Sequence, residues 1–260
     1  MGGPGADTLN GGAGNDTLDG GPDTDAGLNG NAGDDTYVGV IQDENDNVTE
    51  QDMEGMDTLY YAPEADNEAT SDMDESEAGV EATTPNNVET VFGTQNTDTL
   101  TAATGATVLG LGGDDMLTAS DTGNTLVGCA GKNTLTGAVG NDVFGVYNDG
   151  ANADTIKNFT TGLEAATTDE IHLKGFPAGA TVTHVPIVVA DGARAAVKVN
   201  GVTVAIVDVR ETDANFMPIE AAEDVEAQSR VQRILAALGK NNAAGMPIVR
   251  TVDFTPDKCM

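Results

Sequence analysis

Tryptophan is absent from the 260 residues, and only four tyrosines and six phenylalanines are present. Large globular cores draw much of their buried area from such side chains, so a broad core is not expected. Basic residues are scarce as well: Lys and Arg together number 11, and none precedes Lys132. Against them stand 43 acidic residues, 27 of them before Lys132, and the formal net charge is −32. Nucleic-acid binding needs Lys and Arg set against phosphate, and an anionic membrane surface makes the same demand. The composition argues against both. No run of about 18 apolar residues occurs, so no spanning helix and no membrane insertion is expected. No secretory leader is expected at the N-terminus either, where the chain opens inside a repeat. The two cysteines, Cys129 and Cys259, are far apart and form no metal-spaced pair. They read as free or incidental thiols rather than a disulfide. Two histidines cannot supply a zinc protease centre, and H-E-x-x-H, the G-x-S-x-G elbow, the P-loop and a dinucleotide fingerprint are all missing. No pair of carboxylates stands apart as a glycosidase pair, so no enzyme is expected.

What the chain has instead is a cycle of nine. Gly2–Asn10 reads G-G-P-G-A-D-T-L-N, and Gly11–Asp19 reads G-G-A-G-N-D-T-L-D. Gly20–Asn29 is a looser copy with one residue too many, and Gly30–Val38 is G-N-A-G-D-D-T-Y-V. Aspartate recurs at Asp7, Asp16, Asp25 and Asp35, and an apolar residue at Leu9, Leu18, Leu28 and Tyr37. Glycines at positions one, two and four permit backbone angles closed to other residues, so that carbonyls can turn toward a common centre. Calcium takes six to eight oxygens, and clustered carbonyls with carboxylates meet that demand. The last three residues of each cycle make a short strand whose middle side chain faces inward. One apolar residue per strand is too little to hold it, so turns must stack and share a core. A segment this acidic and this poor in large apolar residues would otherwise stay unfolded. Calcium-coupled folding of the N-terminal half is therefore expected.

In this order of glycine, aspartate and apolar residue, the stretch resembles the calcium-binding nonapeptide G-G-x-G-x-D-x-U-x of the repeats-in-toxin (RTX) family, also called hemolysin-type. The resemblance implies an all-β fold: a right-handed parallel β-roll or β-helix solenoid with a small antiparallel β cap and a C-terminal α-helix. It also implies Ca2+ held between repeats n and n+2. Carried onto this chain, one site uses Gly2, Pro4 and Asp7 with Gly20, Pro22 and Asp25. The other uses Gly11, Ala13 and Asp16 with Gly30, Ala32 and Asp35. The second is the sounder, because Asp23 replaces the position-four glycine of the third repeat.

The remainder divides by pattern. Residues 1–40 are the calcium-binding nonapeptides, and 41–92 read as longer irregular coils containing T-Y-V-G-V, N-V-T-E, D-T-L-Y-Y and N-V-E-T-V-F-G blocks. Within them, Ala62–Asn86 carries eight acidic residues and no basic one and is expected to be a solvating loop. Asp43, Glu44 and Asp46 read as a solvated turn rather than a further cation site. Residues 93–146 are a degenerate array whose apolar spine is read at Leu100, Leu109, Leu117, Leu126, Leu135 and Phe144. Only Asp115 and Asp142 keep the aspartate there. Asn133 and Asn124 are their partners two repeats away, so each site loses one carboxylate and binds weakly or not at all. Residues 147–216 resemble the C-terminal cap of RTX arrays, carried by Asp154, Ile156, Phe159, Asp169, Ile171 and Leu173, with Asn158 where that family has aspartate. His172 alternates with Ile171 and Leu173 and is expected to face solvent. Asn200-Gly201 between Ala195–Val199 and Val202–Val207 signals a hairpin. Residues 217–260 hold an expected helix, Ile219–Leu238, stopped by Gly239.

Three functions fit these readings. One is a calcium-stabilised extracellular structural or adhesive module, secreted or cell-surface, exported by type I secretion as the resemblance implies. A second is the C-terminal folding and secretion module of a secreted hydrolase. A third is a polysaccharide-binding module, with Tyr60 and Tyr61 as the best stacking residues. Calcium ions are the expected partner in all three. A cell-surface or matrix polysaccharide or protein would be a further one.

Overall fold

The computed structural model describes residues 1–21, 23–40, 46–50, 55–61, 80–150, 152–160, 168–177, 179–189, 192–209, 238–239, 249–252 and 259. Every element among them is a strand, numbered β1 to β20 in chain order. The strands build a parallel β-solenoid in which each coil adds one strand to each of two walls. One wall is a single nine-stranded sheet of β2 (Thr17–Asp19), β4 (Thr36–Val40), β6 (Thr58–Tyr61), β8 (Thr90–Phe92), β10 (Thr107–Leu111), β12 (Thr125–Cys129), β14 (Val143–Tyr147), β16 (Glu170–Lys174) and β20 (Val249–Val252). The opposite wall comes in two sheets. The first is β1 (Thr8–Ala13), β3 (Gly27–Ala32) and β5 (Val48–Thr49). The second runs β7 (Glu81–Thr83), β9 (Thr99–Thr101), β11 (Met116–Thr118), β13 (Thr134–Thr136), β15 (Asp154–Phe159) and β19 (Val202–Val209). It then continues through β18 (Gly192–Val199) to β17 (Val182–Val189).

The core is a file of single residues. On the nine-stranded wall Leu18, Tyr37, Leu59, Val91, Val108, Leu126, Phe144 and Ile171 lie in register from coil to coil. On the other, Ala82, Leu100, Leu117, Leu135 and Ile156 do the same. Nearly all are fully buried while most of the threonines beside them are half-buried, which is strand alternation reduced to one inward residue per strand. Stacking buries what a lone three-residue strand cannot.

Three expectations change here. The spine residue of β10 is Val108, whose register partner is Leu126, and not Leu109. Leu109 faces outward and packs with Phe92, Val127, Cys129 and Cys259 in a second apolar cluster. The stretch 62–86 is not all loop: Glu81–Thr83 forms β7, pairing with β9, although 62–79 lie outside the described residues. Cys129 and Cys259 are joined in a disulfide, with Cα atoms 5.3 Å apart. The solenoid puts Cys129 on the outer face of its wall, and residue 259 lies against that face, so 130 residues of separation close to bonding distance.

Beyond the coils, β17 pairs antiparallel with β18 and β18 with β19, and Asn200 and Gly201 turn the second hairpin at φ 50° and 85°. β19 lies parallel beside β15. The expected helix over 219–238 lies outside the described residues except for Leu238, which is buried in the main core.

Candidate metal centre

Six turns between walls, those opening at Gly2, Gly11, Gly20, Gly30, Gly110 and Gly128, enter the left-handed region at positions two and four of the cycle. Position two holds Gly3, Gly12 and Gly21, and then Asn31, Leu111 and Cys129 at φ 76°, 80° and 68°. Position four holds Gly5, Gly14, Gly33, Gly113 and Gly131, with Asp23 at φ 82° in the third repeat. In these six turns the backbone is thus retained where glycine is lost, whereas Thr94, Ser120 and Ala138 at position two of the other turns are not left-handed. Asp23 does more than substitute: its Oδ2 accepts the Gly5 N–H at 3.0 Å, which ties the third repeat to the first.

This backbone sets one side chain of each turn directly above the next. The Asp7 N–H donates to Asp25 Oδ1 at 3.0 Å and the Asp16 N–H to Asp35 Oδ1 at 2.7 Å. The ladders run on, Asp25 to Asp46 at 2.8 Å, Asp35 to Asp57 at 2.8 Å and Asp57 to Glu89 at 2.7 Å. In the second array, Asp98 donates to Asp115, Asp115 to Asn133 and Asn133 to Asp154 on one side; Asn124 donates to Asp142 and Asp142 to Asp169 on the other. The expected n to n+2 pairs are therefore stacked neighbours. Asp46 belongs to a ladder instead of a solvated turn, while Asp43 and Glu44 lie outside the described residues.

The second carboxylate oxygen separates the coils into two kinds. Oδ2 of Asp7, Asp25, Asp35 and Asp115 is buried and accepts no hydrogen bond. A polar atom left so costs roughly 1–3 kcal/mol, more when charged. By contrast, Oδ2 of Asp98 accepts the Thr94 N–H, that of Asp142 the Ala138 N–H, and that of Asp169 the Thr160 N–H. Those carboxylates are satisfied by backbone.

The orphaned oxygens face the position-one glycines. A Cβ on Gly2 would stand 2.5 Å from both Asp7 Oδ2 and the Gly20 carbonyl oxygen. One on Gly11 would stand 2.8 Å from Asp16 Oδ2 and 3.0 Å from the Gly30 oxygen. Gly20, Gly30 and Gly110 would clash with Asp25, Asp35 and Asp115 in the same way. Aspartate oxygen and a glycine carbonyl from the next coil thus converge where no side chain can be. The donors are all oxygen, some are buried and unpaired, and the space is kept by glycine: the residues fit calcium. The remaining expected ligands are placed less tellingly. The Ala32 oxygen accepts the Gly14 N–H, Pro4 and Ala13 are exposed, and Pro22 lies outside the described residues.

Burial dominates the electrostatics. It raises the carboxyl of Asp25, with the charges of Asp46 and Asp7 adding to it, and that of Asp57, where Glu89 and Asp35 add. Burial pushes Asp115 up to about 8 and Asp154 to about 7. Carboxyls in this state take up either a proton or a cation.

Sequence reading missed Asp57 and Asp98 as ladder members. The signal was the tripeptide D-T-L, shared by Asp7-Thr8-Leu9 and Asp16-Thr17-Leu18 and repeated at Asp57-Thr58-Leu59 and Asp98-Thr99-Leu100 without the flanking glycine pattern. His172 is half-buried and sits 2.8 Å from Glu170 Oε2. Tyr61 is buried, and Tyr60 stacks on Phe92 at 4.5 Å between ring centroids.

Comparison with known families agrees with this geometry. The model of the RTX calcium-binding nonapeptide repeat matches in four copies, over residues 1–26 and 109–144. The chain carries RTX repeats, and repeats of this kind bind Ca2+. No curated protein and no solved structure matches it.

Proposed function

We propose that this chain, with its RTX repeats wound into a parallel β-solenoid, is an extracellular structural or adhesive module. On this reading it leaves the cell by type I secretion and folds when calcium enters its turns. The observation that carries it is the set of buried, unpartnered Oδ2 atoms on Asp7, Asp25, Asp35 and Asp115, three of them in the first array. There, with no Lys or Arg before Lys132, divalent cations are the simplest counter-charge. Extracellular calcium modules bind at roughly 0.1–1 mM. With calcium about tenfold above that, each site adds on the order of 1.4 kcal/mol to the folded state. Cytosolic calcium leaves the array open and threadable, and external calcium closes it. The β17–β19 hairpins serve as the end piece, covering the free edge of β15 that would otherwise invite pairing with another chain.

The test is circular dichroism of the chelated chain during a calcium titration. Strand signal should rise cooperatively into the millimolar range. Equal β content in chelator and in millimolar calcium overturns the reading.

A further inference from the structure

We propose that Asp35, Glu50 and Asp57 form a calcium site of their own, built from three carboxylates at the junction where the nonapeptide array passes into the longer coils. It rests on the calcium-binding reading above, but it lies outside the matched repeats and uses a glutamate that the nonapeptide pattern does not contain.

One carboxylate oxygen from each of the three residues lies within 4.8 Å of the other two. Oxygens bound to one calcium at about 2.3–2.6 Å can stand no further than roughly 5 Å apart, so the spacing is that of a shared ion. All three residues are buried. Asp35 is 1% exposed, and while its Oδ1 accepts the Asp16 N–H, its Oδ2 accepts nothing. That oxygen is aimed into the cluster: a Cβ added to Gly30 would collide at once with Asp35 Oδ2, Glu50 Oε1 and the Tyr37 hydroxyl. Three oxygens from three side chains thus converge above one glycine.

Tyr37 explains how Glu50 is brought there. Its hydroxyl accepts the Gly30 N–H at 2.8 Å and donates to Glu50 Oε1, so it aims the glutamate without neutralising it. The ligands come from three places in the fold: Asp35 precedes β4, Glu50 follows β5 and Asp57 precedes β6. An ion here fastens the last nonapeptide coil to the first irregular one, where β4 and β6 change register between Tyr37 and Val40. Affinity in calcium sites rises with the number of charged ligands. This site has three carboxylates where a repeat pair supplies two, and it is the tightest of the N-terminal half.

Terbium reports on it directly, because the chain has no tryptophan and any sensitised emission must come through tyrosine. Terbium added to the calcium-free chain should luminesce strongly at the first equivalents. Tyr37→Phe and Glu50→Gln should remove most of that emission, and Asp121→Asn, at an exposed position of the second array, should not. In equilibrium dialysis, Glu50→Gln should bind about one calcium fewer and lose the tightest class of site by at least about tenfold. Its circular dichroism in saturating calcium should match the parent. Unchanged count and affinity in Glu50→Gln overturns the site. If that variant fails to fold, parent emission that survives Tyr37→Phe overturns it equally. A parent that binds no calcium at all would instead remove the proposed function.

Discussion

Gly11 and Gly12 stand side by side in the second nonapeptide, yet a methyl group added to each would meet different surroundings. Gly12 sits at φ 105° with open space around it. Gly11 needs no left-handed backbone, but its added Cβ would lie 2.8 Å from Asp16 Oδ2 and 3.0 Å from the Gly30 oxygen. Gly12→Ala should therefore lower thermal stability by about 1–2 kcal/mol, the cost of holding an L-residue left-handed, and leave calcium affinity almost unchanged. Gly11→Ala should weaken calcium binding at least about tenfold, or about 1.4 kcal/mol, with little effect on the calcium-free chain. Calorimetric titration beside thermal melts separates the two. Equal effects on affinity would mean that the position-one glycine is there for the backbone alone.

Between coils, the same aspartate position does two jobs. In the first array it leaves an oxygen open. At Asp142 both oxygens are engaged by buried or half-buried backbone, the Asn124 N–H at 2.8 Å and the Ala138 N–H at 2.8 Å. Asp142→Ala orphans two donors, and at roughly 1–3 kcal/mol each it should cost about 2–6 kcal/mol of stability with calcium affinity preserved. Asp16→Ala should show the reverse, weaker calcium binding with a smaller loss in chelator. A greater loss of calcium affinity in Asp142→Ala than in Asp16→Ala would sink this assignment. The ladder partners were legible because the RTX resemblance implies that repeat n stacks on n+2, so Asp16 and Asp35, or Asp115 and Asn133, could be paired by counting. Counting fails where neighbours compete for one role. Val108 and Leu109 are both apolar, and Leu109 looks like the spine residue only until the outer cluster with Phe92 and Val127 gives it another place. β7 offers only Ala82 to the core and pairs through its backbone, so nothing in Glu81–Thr83 marks a strand. The Cys129–Cys259 bond depends on which face of the wall the last residues cover, a tertiary fact without a local pattern.

At the scale of the whole molecule, protons and calcium compete for the same oxygens. Burial raises the Asp115 carboxyl from 3.8 to about 8 and that of Asp154 from 3.8 to about 7. Between those limits the folded chain holds protons that the unfolded chain has released. Stability then falls as pH rises, because its slope follows protons bound unfolded minus protons bound folded. The contribution is fully present below about pH 3.8 and is lost by about pH 8. The net charge of −32 works in the same direction, since deprotonation adds self-repulsion. In chelator, the melting temperature of the second array should drop steadily from pH 5 to pH 8.5. Calcium reverses the preference where it replaces the proton, so its stabilising effect should be larger at pH 8 than at pH 5. Asp115→Asn removes one of the two titrations and should flatten the chelator profile, which tells local burial apart from overall charge. A calcium-free chain that gains stability across this window would mean that the buried carboxylates are held ionised by the fold itself. The cation would then be unnecessary.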